Sequence, residues 1–224
     1  MELIEAVEAR HSVRRYLDKP IEQSIIDSLN EQIETFNREA GLQFQLVTGE
    51  PKAFAGGFMS YGKFEGVSNY VALIAPKEAK EKVGYYGEKI VLLAQTLGLN
   101  SCWVGLTYKK MPDAYRIREG EKLHCVVALG YGQTSGVPHP LKDISHYVGN
   151  YSESMPQWFK DGVHAAMLCP TALNQQKFKF FLEGENTVKA TASFSMAGYT
   201  MIDLGIAKCH FEIGAGKDSF SWSE

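Results

Sequence analysis

Two polar clusters near opposite ends of the 224-residue chain hold the residue types that ligand chemistry needs. The first is Arg10, His11, Ser12 and Arg14, within "RHSVRRY". The segment reads as extended, and alternation along it sends Arg10, Ser12 and Arg14 to one side. Two guanidinium forks and a hydroxyl on one face suit a phosphate monoester, because the forks donate in pairs and the hydroxyl adds a third donor. The same residues also fit a solvated basic turn pairing with Glu5 or Asp18. The second cluster is "CPTALNQQKF" at 169–178, where Pro170 stops a helical pattern and Asn174, Gln175 and Gln176 stand just before a strand pattern. Amide side chains offer donors and acceptors together, so they can read the edge of a flat heterocycle on which carbonyl and N–H alternate. An ordinary polar loop has the same composition. A third stretch, "GLNSCWVGL" (98–106), leaves a helix through glycine. Its backbone amides at Val104 and Gly105 could face a ring on which Trp103 packs, or Trp103 could be a core side chain.

The elements that must position these clusters follow from periodicity. "LIEAVEA" and "DKPIEQSIIDSLNEQIETF" carry apolar residues at helical spacing, and "VGYYGEKIVLLAQTLGL" (83–99) is a helix stopped at Gly98. "LQFQLVTGE" (42–50) alternates as a strand does, whereas "NYVALIAP" (69–76) and "KLHCVVALGYG" (122–132) are continuous apolar runs expected of buried strands. Gly, Pro and Ser mark a connecting stretch from about 132 to 156. Beyond it the pattern predicts a helix (158–168), a strand (177–183), a weak strand (187–194), a helix (195–204) and a strand (208–213). "GLQFQLVTGE" (41–50) aligns without gaps on "QKFKFFLEGE" (176–185), and "TLGLNSC" (96–102) on "DLGIAKC" (203–209). We therefore expect a duplicated half-domain: a first half over 1–131, the connection 132–156, a second half over 157–216 and a tail 217–224. The second half lacks the N-terminal arm and a counterpart of 103–121.

Composition narrows the function classes. With 23 Lys+Arg against 26 Asp+Glu the net charge is −3, which makes no electrostatic case for nucleic acid or an anionic membrane. No apolar run is long enough to span a bilayer, and "MELIEAVEAR" has acids where a signal peptide is basic, so a soluble, cytoplasmic protein is expected. Cys102, Cys125, Cys169 and Cys209 are scattered among apolar residues without a CxxC, so buried thiols are expected rather than disulfides or a metal site.

These motifs add up to a resemblance. A helix leading into Arg-x-Ser-Val-Arg-x-Tyr and then "DKPI" resembles the start of the nitroreductase family of FMN enzymes. "CPTALNQQKF" resembles that family's Pro-Ser-x-x-Asn-x-Gln-Pro-Trp segment, "AQTLGLNSCWVG" the helix and turn beneath its isoalloxazine ring, and "VVALGYG" a late core strand. The resemblance implies an α+β fold with mainly antiparallel sheets flanked by helices. Ordinary members are homodimers in which the arm of one subunit holds the FMN phosphate and the loop of the other touches the ring. Here one chain has both arm and loop, as in the tandem-repeat branch of the family, which implies a monomer imitating a dimer, with one FMN. On this reading Arg10, His11, Ser12 and Arg14 hold the phosphate. Trp103, Val104, Gly105, Pro170, Thr171, Ala172, Asn174 and Gln175 meet the ring. Ser60 and Lys63 are the candidates for the family's Asn and Lys before the "NYVALIAP" strand, and His139 or Lys142 for a basic residue near its C-terminal arm. Thr171 stands where the family has Ser, and Lys177-Phe178 where it has Pro-Trp. The implied reaction is ping-pong, NAD(P)H reducing the flavin and a small electron-poor acceptor such as a nitroaromatic or quinone reoxidising it, with no catalytic side chain required. A flavin-binding protein without NAD(P)H turnover, serving flavin storage, cleavage or redox sensing, and a flavin-free scaffold are the other readings.

Overall fold

The computed structural model describes residues 1–55, 63–196 and 198–223. Helices α1 (Leu3–Ala9) and α2 (Gln23–Ala40) precede strand β1 (Gln45–Val47). Next come β2 (Asn69–Pro76), α3 (Lys80–Thr96), β3 (Asn100–Val104) and β4 (Glu121–Gly130). After the connection come α4 (Gln157–Met167), β5 (Phe178–Glu183), β6 (Thr187–Ala192), α5 (Thr200–Ala215) and β7 (Ser221–Trp222). Helices and mainly antiparallel sheets are thus combined, as the α+β reading expects.

The first sheet has the order β1-β2-β4-β3, antiparallel throughout. Its two middle strands are apolar on both faces because both faces are covered. Val71, Leu73 and Ala75 join one core cluster with α2 and α3, while Tyr70, Ala72 and Ile74 join another with Val13 and Tyr16 of the N-terminal arm. The second sheet has the order β5-β6-β7, with β6 and β7 parallel. Helix α5 packs on α3, which covers the first sheet, on α4 and on the second sheet. The connection 132–156 has one short 3₁₀ turn (Ile144–His146), and Gly132 bridges to Tyr16 and Val148 to Phe180.

One expected boundary is corrected. The helix at 195–204 and strand at 208–213 are a single helix, α5, running without a break from Thr200 to Ala215. Its residues 202–207 and 209–211 are all buried, so no polar stripe marks a helical period. The remaining alternation in "KCHFEI" imitates a strand. Segment 203–209 is therefore all helix, whereas 96–102 crosses from α3 into β3, so this pair of aligned segments does not share a local structure. The other pair does: β1 and β5 each run into a left-handed glycine, Gly49 and Gly184, both at φ 69°. Strands β3 and β7 were not anticipated.

The contact of α3 with α5 is reciprocal. A Cβ on Gly84 would overlap the Ile202 carbonyl and lie 3.0 Å from the Ile206 nitrogen; one on Gly205 would overlap the Glu81 carbonyl and lie 2.7 Å from the Tyr85 nitrogen. Each glycine thus meets the carbonyl three residues before its counterpart and the amide one after it. The two helices cross about a local twofold axis between Gly84 and Gly205, at backbone-to-backbone distance.

Candidate functional site

The arm 10–16 is pinned along its length. Val13 donates to the Ser101 carbonyl of β3 (3.0 Å), Tyr16 to the Glu65 carbonyl (2.9 Å), and Glu65 to the Arg14 carbonyl (3.0 Å). The fully buried Tyr16 ring anchors it, its hydroxyl donating to the Val13 carbonyl (2.7 Å). Exposure along the arm is uneven: Arg10 is buried, His11 and Ser12 are half-buried, and Arg14 is exposed. Yet Arg10, Ser12 and Arg14 all act on one thiol. Burial pushes the Cys102 thiol up, and the Arg14 charge, a hydrogen bond from Ser12 and the Arg10 charge pull it back. All four cysteines are buried free thiols, as read from their surroundings.

The loop after α4 is held in an unusual conformation. Leu173, Asn174 and Gln176 have φ of 56°, 52° and 51°, three left-handed residues within four, and none of them glycine. Such backbone costs about 1–3 kcal/mol per residue and persists where its surroundings enforce it, typically at ligand sites. Here the enforcing bonds are visible. The Thr171 carbonyl accepts from Asn174 N (3.0 Å), its hydroxyl from Gln176 N (3.1 Å), and Asp203 Oδ1 from Ala172 N (3.0 Å). Gln175 Oε1 accepts from the Ser195 hydroxyl (2.9 Å). Pro170 is buried, Thr171 and Ala172 are half-buried, and Asn174 is exposed.

Arm and loop lie on one flank of the molecule. Arg10 Nη2 donates to the Leu168 carbonyl (3.3 Å), two residues before Pro170. His139 bridges the same gap: its Nε2 is 3.3 Å from the Gln176 amide nitrogen, and its charge, after burial and that of Arg10, lowers the pKa of His11. Lys142 instead faces His146 (3.0 Å). Lys63 is exposed, two residues before the Glu65 segment that lies along Arg14–Tyr16. Ser60 lies outside the described residues. Trp103 is half-buried with its Nε1 on Glu88 (2.7 Å), Val104 is buried, and the Gly105 carbonyl accepts from the Tyr199 hydroxyl (3.0 Å). Phe178, which follows the loop where the family has Trp, is a core residue packed on Tyr147 and Phe180.

Gln176, one of the three amides picked out in the sequence, is buried, donates to the Cys169 carbonyl (2.9 Å), and leaves its Oε1 buried without a hydrogen-bond partner among the described residues. Three residues here, Glu88, Asp203 and His210, escaped sequence reasoning as parts of the site. All three are buried polar residues of α3 and α5. The signal for them was a titratable residue inside an otherwise apolar run, as in "YYGEKIVLLA" and "MIDLGIAKCHF".

Asp203 has a consequence for pH. Burial raises its pKa from 3.8 to about 7, against the pull of the Ala172 amide. Since the folded value is the higher one, its contribution to stability is full below about pH 4 and is lost as pH rises toward 7. Asp203→Asn keeps the acceptor for Ala172 but cannot ionise. Denaturant melts between pH 4 and 8 are expected to show a shallower decline for the variant, and a variant more stable than the parent at pH 8. Parallel curves would refute the assignment.

Comparison with known proteins agrees with this architecture. The sequence profile of a family described as "Putative TM nitroreductase" matches residues 2–215. A putative nitroreductase from Thermotoga maritima has a similar structure, with a TM-score of 0.67 at 23% identity over 97% of this chain and 85% of that one. A putative nitroreductase from Desulfovibrio desulfuricans, solved in complex with FMN, gives 0.53 at 16% identity, over 68% of this chain and 98% of that one. A putative NADH dehydrogenase/NAD(P)H nitroreductase from Parabacteroides distasonis gives 0.51 at 19%, with the same coverage. Among curated proteins no similar sequence is found. Among the described residues no helix is long and apolar enough to cross a membrane.

Proposed function

The chain belongs to the TM nitroreductase family, and from that premise we propose that it binds one FMN between the arm and the loop and works as an NAD(P)H-dependent oxidoreductase on small electron-poor acceptors. The observation that carries this reading is the meeting of Arg10 with the base of the 170–176 loop through the Leu168 carbonyl. Two clusters 158 residues apart are adjacent, and each has the chemistry one end of FMN requires.

The residues present fit the cofactor. Arg10, His11, Ser12 and Arg14 are the donor set for a phosphate dianion. The orphaned Gln176 Oε1 is a buried acceptor suited to an N–H of the ring edge, and the exposed amide of Asn174 offers a donor and an acceptor beside it. Bound FMN would supply hydride acceptance from the nicotinamide and two-electron delivery to a nitroaromatic or quinone. The protein's part is to bind and orient. The rigid arm fixes the phosphate, the strained loop presents its amides without reorganising, and Lys63 can hold positive charge near the ring.

The reciprocal crossing of α3 and α5, and the β1 and β5 strands with matching glycine turns, support two half-domains related by a pseudo-twofold axis. With one arm and one strained loop among the described residues, the expected stoichiometry is one FMN per monomer. Visible absorbance and sedimentation on one purified sample measure both quantities. Anaerobic NADH or NADPH is expected to bleach the flavin band, and a quinone to restore it. A flavin that dithionite reduces but neither nicotinamide does would favour a storage or sensing role. A colourless protein that takes up no FMN would end the flavin reading.

A further inference from the structure

Arg10, Glu88 and His210 form a buried cluster, with relative exposures of 3%, 0% and 0%, so that Arg10 alone keeps an edge at the surface. Three distant segments meet in it: the end of α1, the middle of α3 and the second half of α5. Glu88 Oε1 is 3.6 Å from Arg10 Nε and 2.8 Å from His210 Nε2, and Glu88 Oε2 accepts from Trp103 Nε1 (2.7 Å). His210 Nδ1 is 3.1 Å from the Ala165 carbonyl.

These contacts set the charge of the cluster. A carbonyl oxygen only accepts, so His210 Nδ1 carries a hydrogen. Nε2 and the Glu88 carboxyl, 2.8 Å apart, then share one further proton. Wherever it sits on that line, the ring and the carboxyl together sum to zero. Arg10 stays protonated, so the three residues carry a net charge of about +1 out of water. Burying an uncompensated charge is costly unless a counter-ion meets it. Beside Glu88 and Arg10, Asp203 also acts on the Cys169 thiol, and burial raises its own carboxyl to about 7. It offers only a partial countercharge near neutral pH. Arg10 Nε has no hydrogen-bond partner among the described residues, while Nη2 gives one of its two hydrogens to the Leu168 carbonyl.

We infer that Glu88 and His210 are positioning residues which hold the Arg10 guanidinium as a fixed, under-compensated charge for an anionic group, the phosphate end of the flavin. The inference rests on the flavin reading above and adds the device that makes the site selective for a phosphorylated flavin. Glu88 takes one edge of the guanidinium and the loop base takes another, so the side chain loses its rotamer freedom before the ligand arrives. His210 neutralises Glu88, so Glu88 orients Arg10 without cancelling its charge.

Riboflavin, which has the same ring system without the phosphate, separates this role from a structural one. Dissociation constants for FMN and riboflavin are compared in the parent protein, Glu88→Gln and His210→Asn. Both variants are expected to bind FMN about 10- to 100-fold more weakly. Their riboflavin affinity should stay within about twofold, so the preference for FMN collapses. Equal losses for both ligands, or an unchanged preference, would overturn the inference. Should either variant fail to fold, the flavin-free parent decides alone. Inorganic phosphate is expected to raise its melting temperature and to compete with FMN but not with riboflavin; no shift, compared with chloride at equal ionic strength, counts against it. A parent protein that binds neither flavin sinks the flavin reading itself, an outcome distinct from an unaltered preference.

Discussion

Replacing Arg10 and Arg14 together by alanine is expected to weaken FMN binding by about 3–6 kcal/mol, since each charge-assisted contact to a phosphate contributes roughly 1.5–3. The single variants should part company in stability. Arg14 is exposed, so Arg14→Ala should change folding stability by less than about 0.5 kcal/mol while still weakening FMN. Arg10 is buried, donates to the Leu168 carbonyl and lies 3.6 Å from Glu88. Its loss opens a cavity and frees a buried carbonyl, so Arg10→Ala should lower both quantities. Flavin retained after dialysis, beside a urea melt of each protein, measures the two effects. A double variant that keeps FMN as well as the parent does would remove the arm from the site.

The second large effect concerns the helix crossing. Gly84→Ala or Gly205→Ala is expected to lower folding stability by about 3 kcal/mol, at the upper end of what overpacking usually costs. The reason is what the new methyl meets. At either position it overlaps a backbone carbonyl of the facing helix, Ile202 or Glu81, and backbone cannot rotate away as a side chain can. The helices must separate, and α5 packs on α4 as well as on α3, so the shift spreads into the core. The double variant should cost less than the sum of the singles, because one separation accommodates both methyls. Thermal melts of the three variants test this. A single variant within about 0.5 kcal/mol of the parent would mean that the crossing is looser than its geometry indicates.

Much of the framework was legible in the sequence because it depends on neighbours in the chain. The apolar runs at 69–76 and 122–132 fall on the buried strands β2 and β4, since a strand covered on both faces needs no polar alternation. The "IIDSLNEQIETF" stripe is α2, and proline and glycine marked the ends of the segments around them. The polar types at 10–14 and 170–176 could be picked out as ligand chemistry, and their motifs led to the family. What remained hidden depends on distance in space. Arg10 and Glu88 are 78 residues apart and Glu88 and His210 are 122 apart. Only packing decides that they share one dry interior, and so that Arg10 is a held charge rather than a surface arginine. The same packing raises the pKa of Asp203, because desolvation belongs to the folded site and not to the aspartate. It also makes α5 one helix: with α3 and α4 against it, no polar face was left in the sequence to report the period. The left-handed turn at Leu173, Asn174 and Gln176 escaped for a related reason. No glycine marks it, and bonds from Thr171 and Asp203 hold a backbone that these residues do not choose locally.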